Sequence, residues 1–333
     1  MRLHYKEEEN AAANLIKPSG QQLEYSNLSR PRAPPHGAAL DCRLDTTRSR
    51  PPAIGRVQLG YLGGFYPRRV PGHPLAMALV PLAWLASVDL ALQWGLWAAA
   101  AALRTEKFFD LAGSGTFILL AHLSLRWGNA QHLRQQVQTG LVTIWGLRLG
   151  LFLFLRILKE GHDRRFNGVR ENSGTFFLYW TMQGIWVFVT LLPTLLLNLE
   201  KHQKPLGFWD YFGWSIWAVG FVTEAIADQQ KWHFRSNPDN AGKFIQSGLW
   251  AYSRHPNYLG EILLWTGLFV SATPVLRGWQ YFSVTSPLLV WFLLNFISGI
   301  PILEKAAMKR WGKEAAFQAY LQKTPVLWPI SLK

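Results

Sequence analysis

The stretch "YSRHPNYLGEILLWTGLFV", residues 252–270, sets an Arg, a His and a Pro at the mouth of a long apolar run and then an Asn and a Glu inside it. Proline suits the first position of a helix, because its φ is preset and its missing N–H is not needed there. Pro256 is therefore read as a helix start. The free N–H groups of such a start carry partial positive charge. With Arg254 and His255 just before them, they suit a phosphate or a carboxylate. Asn257 and Glu261 are four apart and share one helix face, and Tyr258 is three before Glu261. An ionisable group inside an apolar helix faces a cavity or a partner, because facing lipid costs a few kcal/mol or more. The plainer reading is a solvated, packing role at headgroup depth.

A second stripe precedes it. Glu224, Asp228, Lys231 and Arg235 fall on one helical face, two of them within the apolar run "SIWAVGFVTEAIAD". Asp228 suits sugar hydroxyls, and the planar fork of Arg235 suits a phosphate. A helix end leaving the membrane with internal ion pairs accounts for Lys231 and Arg235 but poorly for Glu224. The turn-rich "RSNPDNAGKFIQSG" between the two runs could cover a ligand lying across both helix ends. Glu304 follows "SGIP", where Pro301 is expected to kink the last long helix. Glu304 then either reaches the same pocket or sits at a plain helix end. Trp145, Arg148 and Arg156 lie among apolar neighbours, the two arginines about two turns apart on nearly one face. The basic loop "EGHDRRFNGVRENSG" follows them.

These residues need helices to hold them, and the composition supplies a membrane for those helices. Of 333 residues 49% are hydrophobic and only 16% charged, with 17 Trp and 20 Phe. Mean hydropathy is only +0.04, so the apolar residues are clustered. Seven runs approach the roughly 20 residues that span a bilayer: 75–103, 108–126, 137–158, 175–199, 210–230, 257–275 and 282–303. Asp89 and Gln93 make the first the weakest. The expected fold is all-α, a polytopic membrane protein of six to seven transmembrane helices over residues 74–333. Residues 1–73, rich in Pro, Arg and Ser, are expected to form a disordered tail, with a targeting segment as the alternative.

If all seven runs cross and the C-terminus is cytosolic, the loops and C-terminal tail put sixteen Lys and Arg on the cytosolic side and five on the other; the long basic N-terminal tail fits this poorly unless the first run does not cross. That bias sets Arg254 and Pro256 at the cytosolic face. The net charge of +14 is dispersed between apolar runs, which argues for membrane lipid or an anionic ligand and against nucleic acid. The single Cys42 rules out a disulfide framework or a Cys-based metal site, and the histidines have no metal-ligand spacing. No Gly-rich phosphate loop follows a strand.

"GLWAYSRHPNYLGEILLWTGLFV", "WGLRLGLFLFLRILKEGHDRRF", "EAIADQQKWHFRSNPDNAGKF" and "SGIPILEK" together resemble the uncharacterised membrane family grouped with the C-terminal domain of steroid 5-alpha-reductases. The resemblance runs over about residues 105 to 330. It implies NADPH held between membrane helices and reduction of an activated carbon–carbon double bond in a lipidic substrate. Asn257, Glu261, Asp228 and Arg235 then match cofactor-contacting positions, with Arg254, His255, Arg148 and Glu304 expected around the cofactor. The chain departs from the reductases at their proton-donating Tyr–Glu pair. Trp145 falls near the Tyr, no matching Glu lies upstream, and Glu304 stands where they carry a His. Tyr252 or Tyr258 is the expected stand-in acid.

"SRHPNY" with a later acidic "LEK" pattern is also similar to isoprenylcysteine carboxyl methyltransferases, which bind S-adenosylmethionine at the equivalent place. A third reading is a non-catalytic lipid-binding membrane protein that takes neither cofactor. The expected location is an integral membrane, with the endoplasmic reticulum ahead of other organelles.

Overall fold

The computed structural model describes residues 74–328. The expected disordered tail, residues 1–73, lies outside them. Among the described residues the chain is helical throughout: α1 Pro74–Leu103, α2 Phe109–Trp127, α3 Leu133–Glu160, α4 Ser173–Leu199, α5 Phe208–Ser236, α6 Pro256–Ala272, α7 Thr285–Phe292, α8 Ile300–Trp311 and α9 Ala315–Lys323. Each of the seven apolar runs is occupied by helix. Four stretches are long and apolar enough to cross a membrane: Leu79–Leu103, Leu133–Glu160, Ser173–Leu199 and Gly278–Trp311. α2, α5 and α6 fall short of that criterion for readable reasons. α6 has 17 residues, and α5 carries Glu224, Asp228 and Lys231 on the face it turns inward.

α4 is the central helix. Its apolar window is 61% buried, against 22–28% for the other three spans. It packs against α1, α2, α6 and α7. The aromatic core sits beside it: Phe117 of α2 makes edge or tilted contacts with Trp145, Trp186 and Trp265 at 4.9–5.2 Å between ring centres.

α1 tolerates its polar residues by turning them inward. Asp89 and Gln93 are buried, and Gln93 Nε2 donates to Thr116 Oγ1 of α2 at 3.2 Å. Gln183 Nε2 of α4 donates to Gln93 Oε1 at 3.0 Å. The residues that weakened this run in the sequence are thus interhelical contacts, as expected of polar groups in a membrane bundle.

Pro301 does not kink a continuous helix. α7 passes into a π-turn at Leu293–Ile297, the chain breaks at Ser298 and Gly299, and α8 starts anew with Pro301 in its first turn. A proline that early needs no N–H partner, so the helix is restarted rather than bent.

Candidate functional site

Glycine sets the distance between the two helices that carry the polar stripes. Gly213 and Gly220 of α5 face Gly267 and Gly260 of antiparallel α6. A Cβ on Gly260 would lie 2.5 Å from Gly220 O and 2.6 Å from Glu224 N. Only hydrogen fits there, so the backbones touch, and Glu224 is pressed against α6 one residue before Glu261.

α3 is locked to α5 at both ends. At one end the buried Arg134 guanidinium pairs with Asp210 and also donates to the carbonyls of Lys204 and Pro205. Fourteen residues further along both helices, Arg148 pairs with Glu224. Equal offsets mean that α3 and α5 run parallel in register, with the two ion pairs about 21 Å apart along the helix axis.

Arg148 is the hub of the site. Its Nη1 donates to Glu224 Oε1 at 2.7 Å and its Nη2 to Asp228 Oδ2 at 2.7 Å. Asn257 Nδ2 donates to Asp228 Oδ1 at 3.2 Å. Glu261 accepts from two indoles, Trp145 Nε1 at 3.1 Å and Trp265 Nε1 at 2.9 Å. The Glu224 carboxyl lies within hydrogen-bonding reach of the Glu261 carboxyl. Yet Glu224 Oε2 and Asn257 Oδ1 meet no conventional donor, the Arg254 Nε–H meets no acceptor, and His255 Nδ1 has no hydrogen-bond partner. Buried polar atoms are normally paired, so four orphans around one helix start mark a place built for something more.

The Arg254–His255 start is not an open anion site. Glu304 fills it, its Oε2 accepting from Arg254 Nη1 at 2.9 Å and its Oε1 lying 2.7 Å from His255 Nε2. A partly buried guanidinium needs a counter-charge, and the separate helix α8 supplies it. Burial pushes His255 below the ordinary histidine range, against the pull of Glu304. The amides of Arg254 and His255 donate to Pro325 O and Val326 O, and Tyr320 Oη donates to Trp250 O at 2.7 Å. The segment after α9 thereby straps the start of α6.

Arg148, Asp228, Asn257 and Glu261 are therefore brought together by α3, α5 and α6, with Arg254, His255 and Glu304 beside them. Tyr258 stacks on His255 at 5.6 Å between ring centres. Tyr252 is a correction: at 68% exposed it lies on the surface, in the turn before α6, and is no buried acid. Arg235 is exposed at the end of α5, within electrostatic reach of Lys231. Lys231 itself lies over the Trp250 ring at 4.3 Å. Sequence reasoning missed Trp265 and the facing of Glu224 on Glu261. Trp265 was readable, being four residues after Glu261 on the same face; the carboxyl pair was not, because it depends on how α5 meets α6. A groove of about 590 Å³, lined among others by Ile226, Gln229, His233 and Asn240, opens on the opposite face of α5.

A family model described as "Protein of unknown function (DUF1295)" matches residues 96–324, which contain every residue of this cluster. The chain belongs to this family. The chain is 25% identical over 180 residues to "Uncharacterized protein C594.04c" of Schizosaccharomyces pombe, covering 45% of this chain and 52% of that one. It is 30% identical over 99 residues to "Probable O-methyltransferase ustE" of Ustilaginoidea virens, covering 29% of this chain and 32% of that one. The chain thus spans about half and about a third of the lengths of these curated relatives. No solved structure matches.

Proposed function

We propose that this DUF1295 protein is a membrane-bound NADPH-dependent reductase of an activated carbon–carbon double bond in a lipidic substrate. It would stand with the steroid 5-alpha-reductase-like proteins and work in the endoplasmic reticulum or another organellar membrane. The observation that carries this reading is the orphaned polar rim at the start of α6. Asn257 Oδ1 and Arg254 Nε lack partners, while Asp228 Oδ1 has only one weak donor, Asn257 at 3.2 Å. Such groups fit a ligand with both hydroxyls and anionic oxygens. Lys231 stands about one turn from Asp228 on α5 with Arg235 one turn beyond it, and Arg156 and Arg165 lie within electrostatic reach of Tyr258. That concentration of cations suits phosphates better than a single carboxylate.

When bound, NADPH supplies the hydride. The chain's own residues divide the rest: Arg235 grips anionic oxygens, the unpartnered Arg254 Nε–H donates to the ligand's rim while Glu304 holds the rest of that guanidinium, and Asp228 and Asn257 take hydroxyl and amide groups. The wall of Phe117, Trp145 and Trp265 keeps water from the reacting carbons.

The methyltransferase reading is favoured by one specific observation. Glu304 already neutralises Arg254 and is held by His255, which leaves less positive charge for a polyphosphate and suits the cationic S-adenosylmethionine. The relative named as a probable O-methyltransferase points the same way. Equilibrium binding to the detergent-purified protein decides between them. The reductase reading expects NADPH to bind and S-adenosylmethionine not to, and the reverse selectivity would overturn it. Arg235→Ala should weaken NADPH about tenfold or more, since hydrogen bonds to charged groups contribute about 1.5–3 kcal/mol. Unchanged affinity would take Arg235 out of the site.

A further inference from the structure

We infer that Glu224 and Glu261 hold a single proton between them and are the proton-transfer group of the site. The inference rests on the reductase reading for its reaction but on geometry for its chemistry. Gly220 and Gly260 bring the two backbones into contact and press Glu224 against α6 beside Glu261. Glu224 is out of bulk water at 3% exposed, and Glu261 beside it is half-buried.

The cations nearby are committed. Arg148 divides its fork between Glu224 and Asp228, Arg254 pairs with Glu304, and Lys231 lies over Trp250. Three carboxyls therefore crowd one guanidinium. Two carboxylates pressed together in such a place do not both stay ionised at rest: the doubly ionised pair is disfavoured and takes up a proton. A shared proton resolves the geometry: Glu224 Oε1 accepts from Arg148, both Glu261 oxygens accept from Trp145 and Trp265, and Glu224 Oε2 has no other hydrogen-bond partner. Glu224 Oε2 then carries the hydrogen and donates it to Glu261.

A reservoir of one proton is what the proposed reaction needs, and the exposed Tyr252 does not supply it. Reduction of a polarised double bond takes up one hydride, at the β-carbon, and one proton, at the α-carbon. The carboxyl O–H bond breaks as the α-carbon C–H bond forms, which leaves both carboxylates ionised, and the pair recovers a proton from water.

Infrared spectroscopy of the full-length protein in detergent tests this without knowing the substrate. The carbonyl stretch of a protonated carboxyl is separate from that of a carboxylate, and carbon-13 labelling of glutamate separates it from aspartate. The wild type should show one protonated glutamate band. Glu224→Gln and Glu261→Gln should each remove it whole, because either single carboxylate left alone has Arg148 or the two indoles to stabilise its charge. NADPH should shift the band on binding. A missing band, or one that survives either substitution, overturns the shared proton. A band moved by neither NADPH nor S-adenosylmethionine overturns its place in the chemistry. If the band is present and glutamate-dependent but only S-adenosylmethionine shifts it, the reductase reading fails and the pair stands as a base. If NADPH binds and no band exists, the pair alone fails.

Discussion

Gly260→Ala should loosen the site by separating α5 from α6. The new Cβ would stand 2.5 Å from Gly220 O, where ordinary contact begins at 3.4 Å. The atoms in its way are backbone and cannot swing aside. The helices must part by about 0.9 Å, the difference between those distances. The Asn257–Asp228 hydrogen bond, 3.2 Å long, lies in the same plane of contact and would open past useful length. Overpacking of this kind costs about 1–3 kcal/mol, and alanine's better helix propensity returns roughly 0.5–1 kcal/mol of it.

A net loss of about 1–2 kcal/mol lowers Tm by roughly 2–8 °C for a protein of this size. Thermal unfolding in detergent, followed by tryptophan fluorescence, reads it directly. Gly140→Ala is the control, since a Cβ there meets nothing within 4 Å, and it should hold or raise Tm. A Gly260→Ala protein as stable as its parent would refute the claim that backbone contact at this seam sets the site.

Arg148→Met should destabilise by about 3–5 kcal/mol, because it strands the buried Glu224 and Asp228 without their cation. Adding Glu224→Gln should return part of that loss, and a double variant no better than the single one would count against the ion-pair account. Outside the spans, burial alone would raise Asp163, but the hydrogen bonds and charge of Arg165, with Arg156, hold it below the ordinary carboxylate value. A folded-state pKa below the unfolded value of about 3.9 gives stability that is present above that pH and lost as pH falls through the folded value. The effect is small, because Arg165 is nearly half exposed at 47%. Asp163→Asn should flatten this acid-side fall in Tm, and an unaltered slope would remove Asp163 as its source.

The sequence alone determined that the apolar runs are helical and where α6 begins, but not the break that separates α7 from α8. Apolar runs of bilayer length have few ways to satisfy their backbone except as helix, and Pro256 marked the start of α6. It also determined which residues share a face: the stripe of Glu224, Asp228, Lys231 and Arg235 follows from helical period, and so does the common face of Asn257 and Glu261.

The tertiary structure decided which face meets which. Arg148 serves α5 because Arg134 and Asp210 lock α3 to α5 in register, with fourteen residues between the ion pairs on each helix. Glu304 answers Arg254 because the chain breaks at Gly299 and α8 restarts in a new direction. Glu224 meets Glu261 because two pairs of glycines let backbones touch. Side-chain types and spacings along one helix are local facts. The distance between carboxyls on two helices is set by the atoms that are missing at Gly220 and Gly260, and no period within either helix records it.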